Sequence, residues 1–195
     1  MQTNVNGLAT LPNHQLAMTL LMTPDMANFM GNVHGGTILK LLDQVAYACA
    51  SRYAGRYVVT LSVDQVTFRE PIHVGELVTF LASVNYTGNS SLEVGIKVIA
   101  ENIRTRVSRH ANRCYFTMVA VDETGKATAV PPFKPSTPNE NRRFEEAKLR
   151  KALRRETSRH ETQAAGLRYP PGLWCLQVSS RRRVEPIPRA SYSRK

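Results

Sequence analysis

Residues 36–63, GTILKLLDQVAYACASRYAGRYVVTLSV, decide the fold, because inside them the apolar period changes from that of a helix to that of a strand. Ile38, Leu41, Leu42, Val45 and Cys49 recur at i, i+3, i+4 and i+7, forming one stripe of a helix over about residues 36–52. Leu39, Ala46, Ala48 and Ala50 widen that stripe and leave few polar positions. Such a helix is covered on most of its circumference, by a sheet curled around it or by a partner subunit beside it. After Gly55, the residues Tyr57, Val59, Leu61 and Val63 alternate with more polar ones, and the phase then shifts to Val66 and Phe68, as at a bulge that bends a long strand.

Turn chemistry follows this stretch. Pro71 and Gly75 bracket a connection to a strand over about residues 76–86, Thr87-Gly88-Asn89-Ser90 makes the next turn, and residues 92–100 continue the meander. A turn around residues 102–106 leads to the alternating run 110–121, closed by Asp122-Glu123-Thr124-Gly125. Short connections between consecutive strands make the sheet mainly antiparallel. One buried helix followed by four or five such strands is an α+β domain. Pro131, Pro132, Pro135 and Pro138 mark its end, since proline lacks the N–H that extends a sheet. Residues 139–161 then read as a highly charged helix whose apolar contribution is Phe144, Ala147 and Leu153. The expected organisation is a domain over 11–132, a Pro-rich linker and charged helix over 133–162, and a basic tail over 163–195 with no readable period, expected to be disordered.

The 195 residues carry 26 Lys plus Arg against 15 Asp plus Glu, a net charge of +11. The excess is local: residues 1–139 hold 11 basic and 9 acidic groups, residues 140–195 hold 15 and 6. A basic tail attracts any polyanion without specificity, so no specific nucleic-acid partner is expected. Three cysteines cannot all pair, and Cys49 and Cys114 sit in apolar stretches, which excludes a disulfide scaffold and favours a reducing, cytoplasmic location. No apolar run reaches the 18 or so residues of a membrane span, and the apolar stretch 16–22 has no basic segment before it, so neither insertion nor secretion is expected. No Cys/His spacing suits zinc and no acidic cluster suits calcium or magnesium, so no metal and no cofactor are expected.

The chemistry-bearing segment is 25–43, DMANFMGNVHGGTILKLLD. Gly31, Gly35 and Gly36 lie in the loop that opens the helix, where adjacent glycines let a ligand approach the backbone and free N–H groups point outward. A helix N-terminus suits a developing oxyanion or a phosphate. Asn28, Asn32 and His34 cluster just before it, and Asp43 follows inside it. On a helical wheel Asp43 lies roughly 120° from the centre of the apolar stripe and about 20° from Gly36. It is either an edge carboxylate paired with Lys40 or a carboxylate held in a cleft among small residues. The helix rises about 10 Å between Gly36 and Asp43, too far for both to address one reacting carbon. Two such helices packed antiparallel about a two-fold axis bring Asp43 of one copy to the glycine turn of the other, which predicts an intersubunit site.

Asn28-Phe29, Gly31-Asn32-Val33-His34-Gly35-Gly36, Leu39 to Asp43, Thr60-Leu61-Ser62-Val63-Asp64 and Phe68-Arg69-Glu70-Pro71 together resemble the hotdog-fold acyl-CoA thioesterases of the acyl-CoA hydrolase type. The resemblance covers roughly residues 11–132 and does not extend to residues 165–195. It implies a five-stranded sheet wrapped around a central helix, double-hotdog dimers assembled as a trimer of dimers, and hydrolysis of acyl-CoA to fatty acid and CoA. It also implies a catalytic pair, an asparagine ahead of the glycine turn and an acid inside the helix, matching Asn28 and Asp43.

In that reading the thioester carbonyl accepts hydrogen bonds from backbone N–H groups at Gly35 and Gly36. Asp43 acts as general base on water or attacks directly to give an anhydride, and Asn28 orients water or carbonyl. His34 is a substrate-binding candidate, as a donor to the oxyanion or as a turn residue. Lys97 and Arg104 are candidates for CoA phosphates, with solvated surface cations as the alternative. The competing function is a non-catalytic acyl-CoA-sensing module whose basic tail contacts nucleic acid or membrane. A hydratase on this fold is disfavoured because its usual aspartate–histidine pair is not the pattern present.

Overall fold

The computed structural model describes residues 11–64 and 66–164, with side chains to residue 160. The tail expected over 163–195 therefore lies almost wholly outside the described residues. Six strands, β1 (Gln15–Leu21), β2 (Val58–Val63), β3 (Thr67–Phe68), β4 (Glu76–Thr87), β5 (Ser91–Asn102) and β6 (Ser108–Ala120), and two helices, α1 (Gly35–Ala54) and α2 (Pro138–Ala164), make up the fold. The sheet runs β1-β4-β5-β6-β2, every named pairing is antiparallel, and β3 sits off this path on β6.

β4, β5 and β6 alternate strictly enough that one face of the sheet is a continuous apolar floor. Val78, Phe80, Ala82 and Val84 of β4, Leu92, Val94, Ile96 and Val98 of β5, and Cys114, Phe116 and Met118 of β6 are buried on it. The α1 stripe of Ile38, Leu41, Leu42, Val45, Ala46, Cys49 and Ala50 lies across this floor. The helix stops at Gly55, whose φ of 63° is the left-handed conformation that terminates a helix and that a side chain disfavours. Its other side, including Lys40, Asp43, Gln44, Tyr47 and Ala48, is exposed, so the sheet alone does not cover it.

Three expectations need correction. β1 precedes the helix and was not foreseen; Leu16, Met18 and Leu20 point to the core while their neighbours face out, and among the described residues the strand pairs only with β4. The long bent strand after Gly55 is two strands, β2 and β3, both on β6, with the irregularity at Leu61 where the register steps from Thr60 to Ser62. The charged helix packs through its charges as well as through Phe144 and Ala147: α2 lies on the opposite face of the sheet from α1. Glu93 of β5, only 2% exposed, accepts from Arg150, whose guanidinium also stands 3.6 Å from the Tyr115 ring centroid, and Arg154 reaches Asp64 beside β2. Thr137 and Glu140 cap α2 reciprocally, Thr137 Oγ1 accepting from Glu140 N–H while the Glu140 carboxylate accepts from the N–H groups of Ser136 and Thr137. His14, just before β1, completes that carboxylate at 2.9 Å.

Candidate active site

The segment ahead of α1 is a tight turn. Asn28 Oδ1 accepts from the N–H groups of Met30 (2.9 Å) and Asn32 (3.2 Å), and Asn28 N–H donates to the Asn32 carbonyl at 2.6 Å. Gly31 closes the turn with φ of 78°, which favours glycine. Two backbone donors on Oδ1 fix the amide orientation, so the NH₂ group is the outward-facing, unpartnered end of Asn28 among the described residues. Phe29 and Met30 at the tip of the turn are almost wholly exposed.

His34 is the N-cap of α1, and its Nδ1 accepts from Gly36 N–H at 2.9 Å. A Cβ on Gly36 would stand 3.0 Å from that nitrogen, so the glycine makes room for the capping imidazole. Of the two expected oxyanion donors, Gly36 N–H is therefore occupied, and Gly35 N–H is without a partner among the described residues. With Nδ1 accepting, the neutral imidazole carries its proton on Nε2, which leaves a second donor at the mouth of the helix. The Phe68 ring lies against Gly35.

Asp43 does not pair with Lys40. Its Oδ1 instead accepts from the Thr60 hydroxyl at 2.6 Å, the length of a charge-assisted bond. Thr60 reaches it because β2 runs beside α1 and changes register at the next residue, re-aiming the strand where it passes the carboxylate. Asp43 Oδ2 has no partner among the described residues. The carboxylate opens on a hollow of about 310 Å³ whose walls include Gln44, Tyr47, Tyr57, Val59 and Thr60. Tyr47 and Tyr57 meet edge-to-face at 5.7 Å.

Asn28 is not among the residues of that hollow, so one chain does not assemble the expected pair in one cavity. Lys97 and Arg104 are also apart. Lys97 is exposed on the outer face, directly across from Arg113 and beside Tyr115 and Arg143, whereas Arg104 shares a hollow with His73, Gly75 and Asn102. Cys49 and Cys114 are buried, and burial pushes both thiols up to about 12, which removes them as nucleophiles. No group of three or more His, Cys, Asp or Glu able to hold a metal occurs among the described residues. Thr60 was the functional candidate that sequence reasoning passed over; its signals were its place in the resembling stretch Thr60-Leu61-Ser62-Val63-Asp64 and a polar residue within an alternating strand.

The sequence pattern of the Thioesterase superfamily matches residues 30–107, which span Gly31 ahead of the helix, α1 and strands β2 to β5. Protein VdlD of Helicobacter pylori is 55% identical over 145 residues, covering 74% of this chain and 83% of that protein. A solved apo-hexameric acyl-CoA thioesterase is 34% identical with a TM-score of 0.73, covering 75% of this chain and 94% of its own. An acyl-CoA hydrolase from Staphylococcus aureus, solved with butyryl coenzyme A, coenzyme A and coenzyme A disulfide, is 30% identical with a TM-score of 0.71, over 78% of this chain and 93% of that one. A helix laid across an antiparallel sheet, a glycine turn at its start and a carboxylate on its open side agree with these similarities, and the chain belongs to the hotdog-fold acyl-CoA thioesterase family.

Proposed function

We propose that this protein hydrolyses fatty acyl-CoA to free fatty acid and CoA at a site shared by two copies of the chain. The observation that carries the reading is the Asp43 carboxylate, exposed on the uncovered side of α1, oriented by Thr60 and unpaired by any cation among the described residues. A carboxylate with one oxygen held and the other free is suited to take a proton from water or to attack a carbonyl carbon. The thioester oxygen accepts from Gly35 N–H, at the positive end of α1, and the Asn28 NH₂ holds the water or the carbonyl. In the base route water adds to the thioester carbon and its proton passes to Asp43; collapse expels the CoA thiolate, which takes that proton. In the nucleophile route Asp43 displaces the thiolate to form a mixed anhydride that water then opens.

A second copy of the chain supplies what one lacks. The sheet ends on β2, whose outer edge has no partner strand among the described residues, and Tyr57 just before it and Leu61 and Val63 on it are about half exposed or more, at 60%, 60% and 45%. Together with Phe29, Met30, Leu39 and Tyr47 they form an apolar surface around the site that pairing with a partner buries. The homo-oligomer in this account is a dimer of hotdogs assembled as a trimer of dimers, in keeping with the hexameric relative. Arg104 and Lys97 are retained as contacts for CoA phosphates. No helix among the described residues is long and apolar enough to cross a membrane, and we place the protein in the cytoplasm, where acyl-CoA is made and used.

Release of free thiol from acyl-CoAs of graded chain length, measured for the wild type and for Asp43→Asn, tests the reading. Turnover in the first and a loss of roughly 10²–10⁴ in the second is the expected result. Tight acyl-CoA binding without thiol release in the wild type would make the protein a sensing module instead.

A further inference from the structure

The turn that bears Asn28 is held from one side by a chain of polar contacts that begins in a buried ion pair. Glu76, at the start of β4 and only 4% exposed, receives Arg109 of β6 on both oxygens, at 2.6 and 2.8 Å. Arg109 also donates to the Pro71 carbonyl and pairs with Glu70 at 3.1 Å, so one guanidinium ties down the loop between β3 and β4. The same Glu76 carboxylate accepts from His73 N–H at 2.9 Å, and the arginine beside it holds that carboxyl below its usual range. His73 then faces the catalytic turn: Asn32 and His73 form an antiparallel bridge, and His73 Nδ1 lies 2.8 Å from Asn32 Oδ1. Asn32 is the residue whose N–H and carbonyl engage Asn28 Oδ1 and Asn28 N–H.

We propose that His73 is a positioning residue for Asn28: its ring nitrogen Nδ1, held by the Glu76–Arg109 pair through the backbone, fixes Asn32 and so aims the Asn28 amide at the reacting thioester. The inference rests on the reading of Asn28 as a catalytic residue. His73 is exposed, so its side chain contributes little packing, and the polar contact with Asn32 is the one hydrogen bond its ring makes among the described residues. Two features of the geometry make the role specific to one atom. An asparagine side chain reaches the position of Nδ1 and can present either end of its amide there, whereas a glutamine places its amide near Nε2. Loss of a single neutral hydrogen bond that orients a group only in the transition state lowers kcat by roughly two- to tenfold and leaves KM nearly alone.

The test compares His73→Ala, His73→Gln, His73→Asn, Asn32→Ala and Asn28→Ala in the full chain, by steady-state thiol release from an acyl-CoA that the wild type cleaves, with melting temperature and oligomer size as checks on folding. The expected pattern is a kcat lowered roughly two- to tenfold in His73→Ala and His73→Gln, near wild type in His73→Asn, with KM within about twofold throughout. The His73→Ala and Asn32→Ala losses should fail to add when combined, because they remove two ends of one contact. Equal kcat in His73→Asn and His73→Ala, or a change confined to KM, overturns the positioning role. Wild-type kcat in His73→Ala beside an inactive Asn28→Ala overturns it while leaving the catalytic reading of Asn28 intact. Full activity in Asn28→Ala overturns both.

Discussion

Replacing Thr60 with valine removes one hydroxyl and little else, and it isolates the contact that orients Asp43. The two side chains have the same shape, and valine suits a strand at least as well as threonine, so β2 and its pairing with β6 should persist. What disappears is an O–H donated to a carboxylate oxygen at 2.6 Å. Hydrogen bonds to charged groups contribute about 1.5–3 kcal/mol net, and because both partners are exposed in the protomer the lower end, about 1.5 kcal/mol, applies. If that energy is spent on holding Asp43 in its reactive orientation, kcat falls about tenfold. Thr60→Ser keeps the donor and should remain within roughly threefold of the wild type, less any loss from its weaker strand preference. Thiol release under saturating acyl-CoA, with melting curves alongside, measures this. A Thr60→Val enzyme with wild-type kcat, or a serine variant as slow as the valine one, would refute the claim that the hydroxyl orients the carboxylate.

Other consequences concern stability. Glu140 is held down to about 2, from an ordinary 4.5, first by the Ser136 N–H and then by the Ser136 hydroxyl, His14 and the Thr137 N–H. A depressed carboxyl stabilises the fold fully above about 4.5 and loses that contribution as pH falls toward about 2, so acid titration of stability should be flatter in Glu140→Gln than in the wild type. Arg150→Met leaves the buried Glu93 with the Asn85 amide, 3.4 Å away, and Arg154, 3.5 Å away, and urea unfolding should show a loss of about 3 kcal/mol, the lower end for a broken buried pair, that Glu93→Gln in the same chain largely reverses. His34→Ala removes the cap on Gly36 N–H and should cost about 1 kcal/mol by urea unfolding, which His34→Asn restores because asparagine is a good N-cap.

The helix and strands β4 to β6 were legible because their periods differ and the apolar side of each is buried, whereas β2 buries Val58 while the alternating Tyr57 just before it and Leu61 and Val63 on it stay exposed. The observed bounds of α1 extend the expected ones by one residue at the start and two at the end. β1 was not legible, since an edge strand needs only a weak alternation and its partner, β4, lies more than fifty residues downstream. The packing of α2 was partly hidden, for a different reason. It docks in part through apolar residues the sequence shows, Ala147, fully buried, and Phe144, whose ring meets Tyr86 and Phe133; the hidden part is the pairing of Arg150 and Arg154, since charge along a helix reads as solvation until its partners, Glu93 and Asp64, are known to lie beneath it. At the site, the residue types and their order were visible and their hydrogen bonds were not. Asp43 had Lys40 as its obvious local partner, yet a strand crossing beside the helix supplied Thr60, seventeen residues on. His34 is not a residue that sequence marks as a cap, and only the closeness of its ring to the space left by Gly36 shows that it is one.

If Asn28 and Asp43 act together across two chains, mixing the two inactive variants restores turnover. In a dimer of Asn28→Ala with Asp43→Ala, the first chain still supplies Asp43 and the second Asn28, so one shared site is whole and the other lacks both groups. Random exchange makes half the dimers mixed, each with half its sites intact, so thiol release should recover to about a quarter of the wild-type rate. Exchange of subunits, followed by mass, with no recovered activity would contradict it.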